Sequence, residues 1–133
     1  MLMELALWVK QEPALEKRKE MSEQAQAELE TLDESEFAGQ DVVLKLHYSC
    51  LNYKDALALT HTAPIARKYP MVHGIDAVGE VIESNSDQWP VGAVCQVNDW
   101  GLGETHWGGL AERASVPAQW ISPIPEGRSA RGA

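Results

Sequence analysis

Only two cysteines, Cys50 and Cys95, occur in 133 residues. They are too few for a disulfide framework, and neither belongs to a C-x-x-C pair that would serve zinc or redox chemistry. Both are read as buried free thiols. Long apolar runs are missing as well: Leu5 to Val9 follows Glu4, has no basic residue before it, and is far too short to cross a bilayer or act as a secretory h-region. A cytoplasmic location is expected.

Positive charge is scarce, with 11 Lys and Arg against 20 Asp and Glu. Residues 1–41 hold eleven acids and four bases, and the remainder holds nine and seven. Nucleic acid and anionic membrane both require a basic footprint, so neither is expected as a partner. The acidic first third reads as a solvated, solubilising face.

Other signatures are absent too. No G-x-S-x-G elbow supports a serine nucleophile. His47 and Cys50 fall three apart, which on a strand places them on opposite faces, and His61, His73 and His106 show no paired ligand spacing. No metal site is expected. "WGLGETHWGGLAE", residues 100–112, is glycine-rich, but its spacing is not G-x-G-x-x-G and no helical pattern follows. Its glycines fit a folded-over loop with positive φ angles and close backbone approach.

What remains is the material of one domain, able to bury roughly two-thirds of the surface its unfolded chain exposes. Residues 3–9 can open a sheet, and "PALEKRKEMSE", 13–23, is a run of helix formers opened by proline, either a surface helix or a connection. "AQAELETL", 25–32, suits strand and helix equally. "DVVLKLHYSC" (41–50), "GIDAVGEVIES" (74–84), "VGAVCQV" (91–97) and "LAERASV" (110–116) read as short strands separated by turns. The pattern predicts a small antiparallel barrel or sandwich with a helical turn or two, and nothing after residue 85 alternates strand and helix as a nucleotide-binding unit would.

Two stretches stand out for chemistry. In "SCLNYKDALALT", 49–60, Asn52 is a good N-cap and Asp55 follows three residues later, which fits the start of a short helix through Ala56, Leu57 and Leu59. Capping leaves Tyr53 and Lys54 unexplained. In "YPMVHGIDAVGEV", 69–81, Asp76 opens an apolar strand, where a carboxylate either meets solvent or lies buried beside a partner. His73 is read as structural.

In order, "SCLNYKDALALT", "ARKYPMVHGIDAVGEVIES", "GLGETHWGGLAERASV" and "WISPIPEGRSARGA" resemble the N-terminal, GroES-like part of a zinc-independent medium-chain dehydrogenase/reductase, in the quinone oxidoreductase and acryloyl-CoA reductase branch. The resemblance runs from about Leu32 to Ala130. Residues 1–31 diverge, being longer than the family's first hairpin. It implies a mainly β fold, a partly open GroES-like barrel with short helices, and favours a strand for 25–32 after an inserted connection. Residues 1–133 are then one truncated GroES-like domain with no Rossmann domain.

By the same resemblance, Asn52 and Asp76 are catalytic-site residues and Tyr53 lies against an NADPH cofactor. The family chemistry is hydride transfer to the β-carbon of an enoyl thioester, or to a quinone, followed by protonation. An amide or phenol can hydrogen-bond a carbonyl oxygen as charge develops, and Asp76 is expected to orient Tyr53 or Lys54. Zinc-dependent relatives carry cysteine where Asn52 stands and histidine where Ile75 stands, which implies no zinc. His73 replaces the family's usual proline and Ala93 a common acid; both bear on loop geometry.

A half-site without a dinucleotide-binding domain is not expected to hold NADPH or transfer hydride alone. The alternatives are a partner chain bearing a Rossmann domain, a self-associating homo-oligomeric module that binds a small molecule or protein, or a non-functional remnant of a reductase gene.

Overall fold

The computed structural model describes residues 3–9, 28–33, 39–60, 62–67 and 71–132. Among the described residues there are eight strands and one short α-helix, besides two 3-10 turns, in the order β1 (Met3–Val9), β2 (Glu28–Asp33), β3 (Val42–Tyr48), α1 (Tyr53–Leu59), β4 (Met71–Val72), β5 (Asp76–Ser84), β6 (Val94–Asn98), β7 (Arg113–Val116) and β8 (Ile121–Pro123). Every pairing between these strands is antiparallel. They form a five-stranded sheet in the order β7-β3-β5-β6-β8 and a three-stranded sheet in the order β2-β1-β4.

Alternation decides which face is buried. Val42 and Leu44 of β3, Cys95 and Val97 of β6, and Ala114 and Val116 of β7 turn inward, and with Val81, Leu102 and Ile121 they form the main core. Side chains two apart on a strand share a face, so Gln96 and Asn98 are left on the opposite one. A smaller cluster joins Leu32 and Val72 to Trp107 and Ala111 of the glycine-rich loop. No helix among the described residues is long and apolar enough to cross a membrane.

Most expected elements are present, with shifted ends. The ambiguous stretch 25–32 is strand from Glu28, where it pairs with β1 from Trp8 to Met3. The strand expected from residue 91 starts at Val94, because Val91 and Gly92 form a turn in which Gly92 has φ +94°. The strand expected from residue 110 starts at Arg113, since Leu110 spends its N–H on the His73 carbonyl at 2.9 Å. The helix or connection anticipated over 13–23 lies outside the described residues.

One further expectation fails: Cys95 is fully buried, but Cys50 is exposed. It lies just past the end of β3, where the chain leaves the sheet toward α1.

The register of β3 against β5 shifts between Val43 and Leu44 and again between Leu46 and Tyr48. Such bulges bend a strand and re-aim its side chains. The second shift pairs Tyr48 with Val78, and Val78 in turn pairs with Gln96 on β6. A row of three cross-strand neighbours, with exposed Tyr48 and half-buried Gln96 flanking buried Val78, therefore crosses the sheet where the site lies.

Candidate functional site

The glycine-rich loop folds back over β4 and the start of β5 as a backbone ladder. Gly108 N–H donates to Val72 O at 2.8 Å, Gly109 to Gly74 O at 2.9 Å, and Asp99 N–H to Ile75 O at 2.8 Å. A Cβ on Gly108 would run into the carbonyls of Gly74 and His73, and one on Gly109 into the Asp76 carbonyl. Glycine is required there for close approach. His73, fully buried beneath the loop, belongs to this packing.

That ladder fixes the backbone of residues 73–76, and Asp76 follows at the first position of β5. Its carboxylate is met from the β3–α1 turn. Asn52 Nδ2 donates to Asp76 Oδ2 at 2.7 Å, the Cys50 thiol donates to the same oxygen at 3.4 Å, and Ser49 Oγ donates to the Asp76 carbonyl at 2.7 Å. Asn52 Nδ2 also reaches Cys50 Sγ at 3.8 Å. The two sequence-predicted catalytic residues are thus in direct contact. Partial desolvation first, and donation to the nearby carboxylate second, raise the Cys50 thiol above its ordinary range.

Helix α1 starts where the capping pattern places it. Asn52 and Asp55 form a capping box, in which the Asn52 N–H donates to Asp55 Oδ2 at 3.0 Å and the carboxyl is almost fully buried. Tyr53, the first helical residue, points outward with 80% of its surface exposed. Among the described residues its hydroxyl makes no hydrogen bond.

Lys54 reaches the glycine-rich loop, with Nζ 2.9 Å from Glu104 Oε1 and 4.0 Å from Asp99 Oδ1. The hydrogen bond to Glu104 is the main reason its ammonium titrates above the usual lysine range. This ion pair ties the first turn of α1 to the loop that boxes in Asp76. The expectation that Asp76 orients Tyr53 or Lys54 is therefore corrected: its partners are Asn52 and Cys50, and lysine is held by other carboxylates.

A half-open cavity of about 260 Å³ adjoins the Asn52–Asp76 pair. Tyr48, Cys50, Asp76, Gln96 and Asn98 line it from the sheet side, and Arg131 lines it from the turn Ala130–Gly132, which packs on β3 and β5. Sequence reading missed Cys50, Asn98 and Arg131. Cys50 had a signal, two residues before Asn52 in one turn; Arg131 had none, because only the tertiary fold returns it to β5.

The described residues suit one end of a dinucleotide better than the other. Tyr53 offers an exposed ring and hydroxyl beside the polar pair. The pyrophosphate finds no seat, because α1 has only seven residues and the buried Asp55 carboxylate already occupies its N-terminal turn. Among the described residues no three His, Cys, Asp or Glu gather as a metal would require.

With this geometry in place, comparison with known proteins is specific. The family model of the alcohol dehydrogenase GroES-like domain matches residues 38–126. A protein of Escherichia coli named probable acrylyl-CoA reductase AcuI is 46% identical over 107 residues, covering 80% of this chain and 33% of that protein. Acrylyl-CoA reductase AcuI of Ruegeria pomeroyi is 37% identical over 114 residues, covering 86% and 34%. This chain thus spans about a third of the length of the curated relatives it matches.

Among solved structures, the YhdH oxidoreductase of Salmonella enterica in complex with NADP superposes with a TM-score of 0.83 at 38% identity, covering 98% of this chain and 37% of that one. YhfP of Bacillus subtilis with NAD bound gives 0.83 at 30% identity, with the same shares covered. Mostly strand with one short helix, the fold is the GroES-like one the motifs imply. The chain belongs to the alcohol dehydrogenase GroES-like domain family, within the medium-chain dehydrogenase/reductase oxidoreductases and the branch that holds acrylyl-CoA reductases and quinone oxidoreductases.

Proposed function

We propose that this chain supplies one wall of an NADPH-dependent reductase site for an enoyl thioester or a quinone, and that hydride transfer requires a nucleotide-binding domain facing it. The observation that carries the reading is the 2.7 Å bond between Asn52 Nδ2 and Asp76 Oδ2 beside an outward Tyr53 and an open cavity. NADPH supplies the hydride when bound, and this chain's residues position and polarise.

Within that wall the roles divide by which hydrogen atoms are free. The Asn52 amide directs its donors to Asp76 and Cys50, so it orients the carboxylate instead of contacting a substrate oxygen. Tyr53 is the outward donor, suited to a carbonyl oxygen that gains negative charge and to passing a proton. Both walls are needed because reacting carbons must be held near roughly 3–3.5 Å. Calorimetric titration with NADPH, on the chain as it stands and on Tyr53→Phe, tests this. Saturable binding weakened by the substitution supports a cofactor contact at Tyr53; equal binding by both proteins removes it.

A second reading rests on exposed apolar surface. Leu51, Tyr53 and Trp100 are 70%, 80% and 56% exposed, and large apolar side chains left in solvent are available to association. A homo-oligomeric binding module would use them. A monomer at high concentration in sedimentation rejects that reading and leaves the facing domain as the cover.

A further inference from the structure

The cavity beside the site carries charge of both signs. Arg131 lines it from the Ala130–Gly132 turn and Asp76 from the sheet, and Asn98 and Gln96 also border it. Gln96 Nε2 gives one hydrogen to the Pro123 carbonyl at 3.2 Å, and its Oε1 is an acceptor. Asp76 Oδ2 is spent on Asn52 and Cys50, which leaves Oδ1. Asn98 is exposed at the end of β6, paired across the sheet with Asp76. Tyr48, Ala77 and Val78 form the less polar part of the lining.

A charged ligand is attracted by one of the opposed groups and repelled by the other. A neutral group with a donor and an acceptor can satisfy both, and an amide is the smallest common group of that kind. Cys50 does not compete as a nucleophile, because its proton is held toward Asp76.

We propose that this cavity binds the amide-bearing arm of a thioester substrate, with the amide carbonyl toward Arg131 and Asn98 and its N–H toward Asp76 Oδ1 or Gln96 Oε1. The inference rests on the reductase reading and deepens it: the reacting acyl group lies toward Tyr53, and the arm is gripped on the far side of Asp76. The turn carrying Arg131 is closed by its neighbour, Arg128 Nη1 donating to Gly132 O at 3.1 Å. The nicotinamide carboxamide shares this amide chemistry, and the test separates the two sources.

The full chain, labelled with nitrogen-15, is titrated by NMR with pantetheine, with reduced nicotinamide mononucleotide, and with acetate and ethylammonium as charged controls. Saturable shifts at the Asn98 and Gln96 amides with pantetheine are expected, along with little response to the charged controls. Arg131→Met is expected to weaken pantetheine roughly tenfold, the scale of one lost hydrogen bond from a charged group, and Asn98→Ala roughly fivefold, that of a neutral one. Both sites are exposed, so folding is retained.

Pantetheine affinity unchanged in both variants overturns the proposal. So does acetate binding as tightly as pantetheine, or a response at these amides to the mononucleotide alone. Failure here with NADPH binding still sensitive to Tyr53→Phe fells only this inference. A pantetheine response that survives while NADPH binding proves indifferent to Tyr53 fells only the cofactor half of the reductase reading.

Discussion

Asn52 and Asp76, twenty-four positions apart, are joined by a hydrogen bond of 2.7 Å from the side-chain amide to the carboxylate. The bond links the loop before α1 to the first residue of β5, and the carboxylate end is only partly open to water. Asn52→Ala removes its strongest donor. Loss of a hydrogen bond to a charged group predicts a decrease of about 1.5–3 kcal/mol in unfolding free energy, read from urea denaturation. Asn52→Asp, which sets a second carboxylate against the first, is expected to lose more at pH 7 and to regain part of it as the pH is lowered. Equal stability of the wild type and Asn52→Ala would show that the pair contributes nothing to the fold.

Gly108 and Gly127 offer a matched contrast. A methyl group at Gly108 meets two carbonyls of the ladder partner, whereas one at Gly127 meets open space and only the strain of φ +79°. Gly127→Ala is expected to cost about 1–2 kcal/mol, the penalty of a left-handed residue. Gly108→Ala carries an overpacking cost of about 1–3 kcal/mol, and it also displaces the β5 start. The nuclear magnetic resonance of Asn98 and Asp76 amides therefore shifts in Gly108→Ala and stays in place in Gly127→Ala. Identical spectra for the two variants would disprove the boxed arrangement.

The reach of sequence reading follows from what kind of contact decides each feature. The strands over 42–48 and 76–84 were legible because β-branched and apolar residues repeat with a period set by the pleat. The start of α1 was legible because Asn52 and Asp55 act within one turn. The site roles of Asn52, Tyr53 and Asp76 were picked out by family likeness, not by any local rule. The Asn52–Asp76 contact, the exposure of Cys50, the Lys54–Glu104 pair and the return of Arg131 all depend on chain segments meeting across the sheet. Local periodicity contains no term for that, and the strand start at Arg113 was missed for the same reason, whereas the start at Val94 follows from the local turn at Gly92.

The two thiols should separate cleanly by pH. Cys95 is fully buried, and its desolvation pushes the thiol up to about 11 from the ordinary 9.0. A folded-state value above the unfolded one favours the protonated form in the fold. That contribution is complete below pH 9 and is lost as the pH climbs toward 11. Denaturation at pH 8 and pH 10.5 is expected to show the native protein weakened at the higher value, and Cys95→Ala to flatten this part of the profile. Cys50 is accessible yet also held protonated, so iodoacetamide is expected to label it slowly at pH 7.5 and faster above pH 9, with Cys95 unlabelled throughout. Rapid labelling of Cys50 at neutral pH would contradict its place beside Asp76.

Lys54→Met tests the tie between α1 and the glycine-rich loop. The pair is partly exposed, with Lys54 at 35% and Glu104 at 20%, so the expected loss is only about 0.2–1 kcal/mol. Salt supplies the sharper criterion: the difference between wild type and variant should shrink as sodium chloride rises to about 1 M, where the screening length is near 3 Å. A difference that ignores salt would assign the effect to lost methylene packing.

The ladder of Gly74, Gly108 and Gly109 places residues 73–76 through main-chain contacts alone. Positions 75 and 76 are thereby held in place whatever side chains they bear. A lineage can exchange the reactive groups at these positions while the frame beneath them stands. Divergence among such domains is expected to gather at those few side chains and to spare the glycines, so one inherited backbone serves as a socket for successive chemistries.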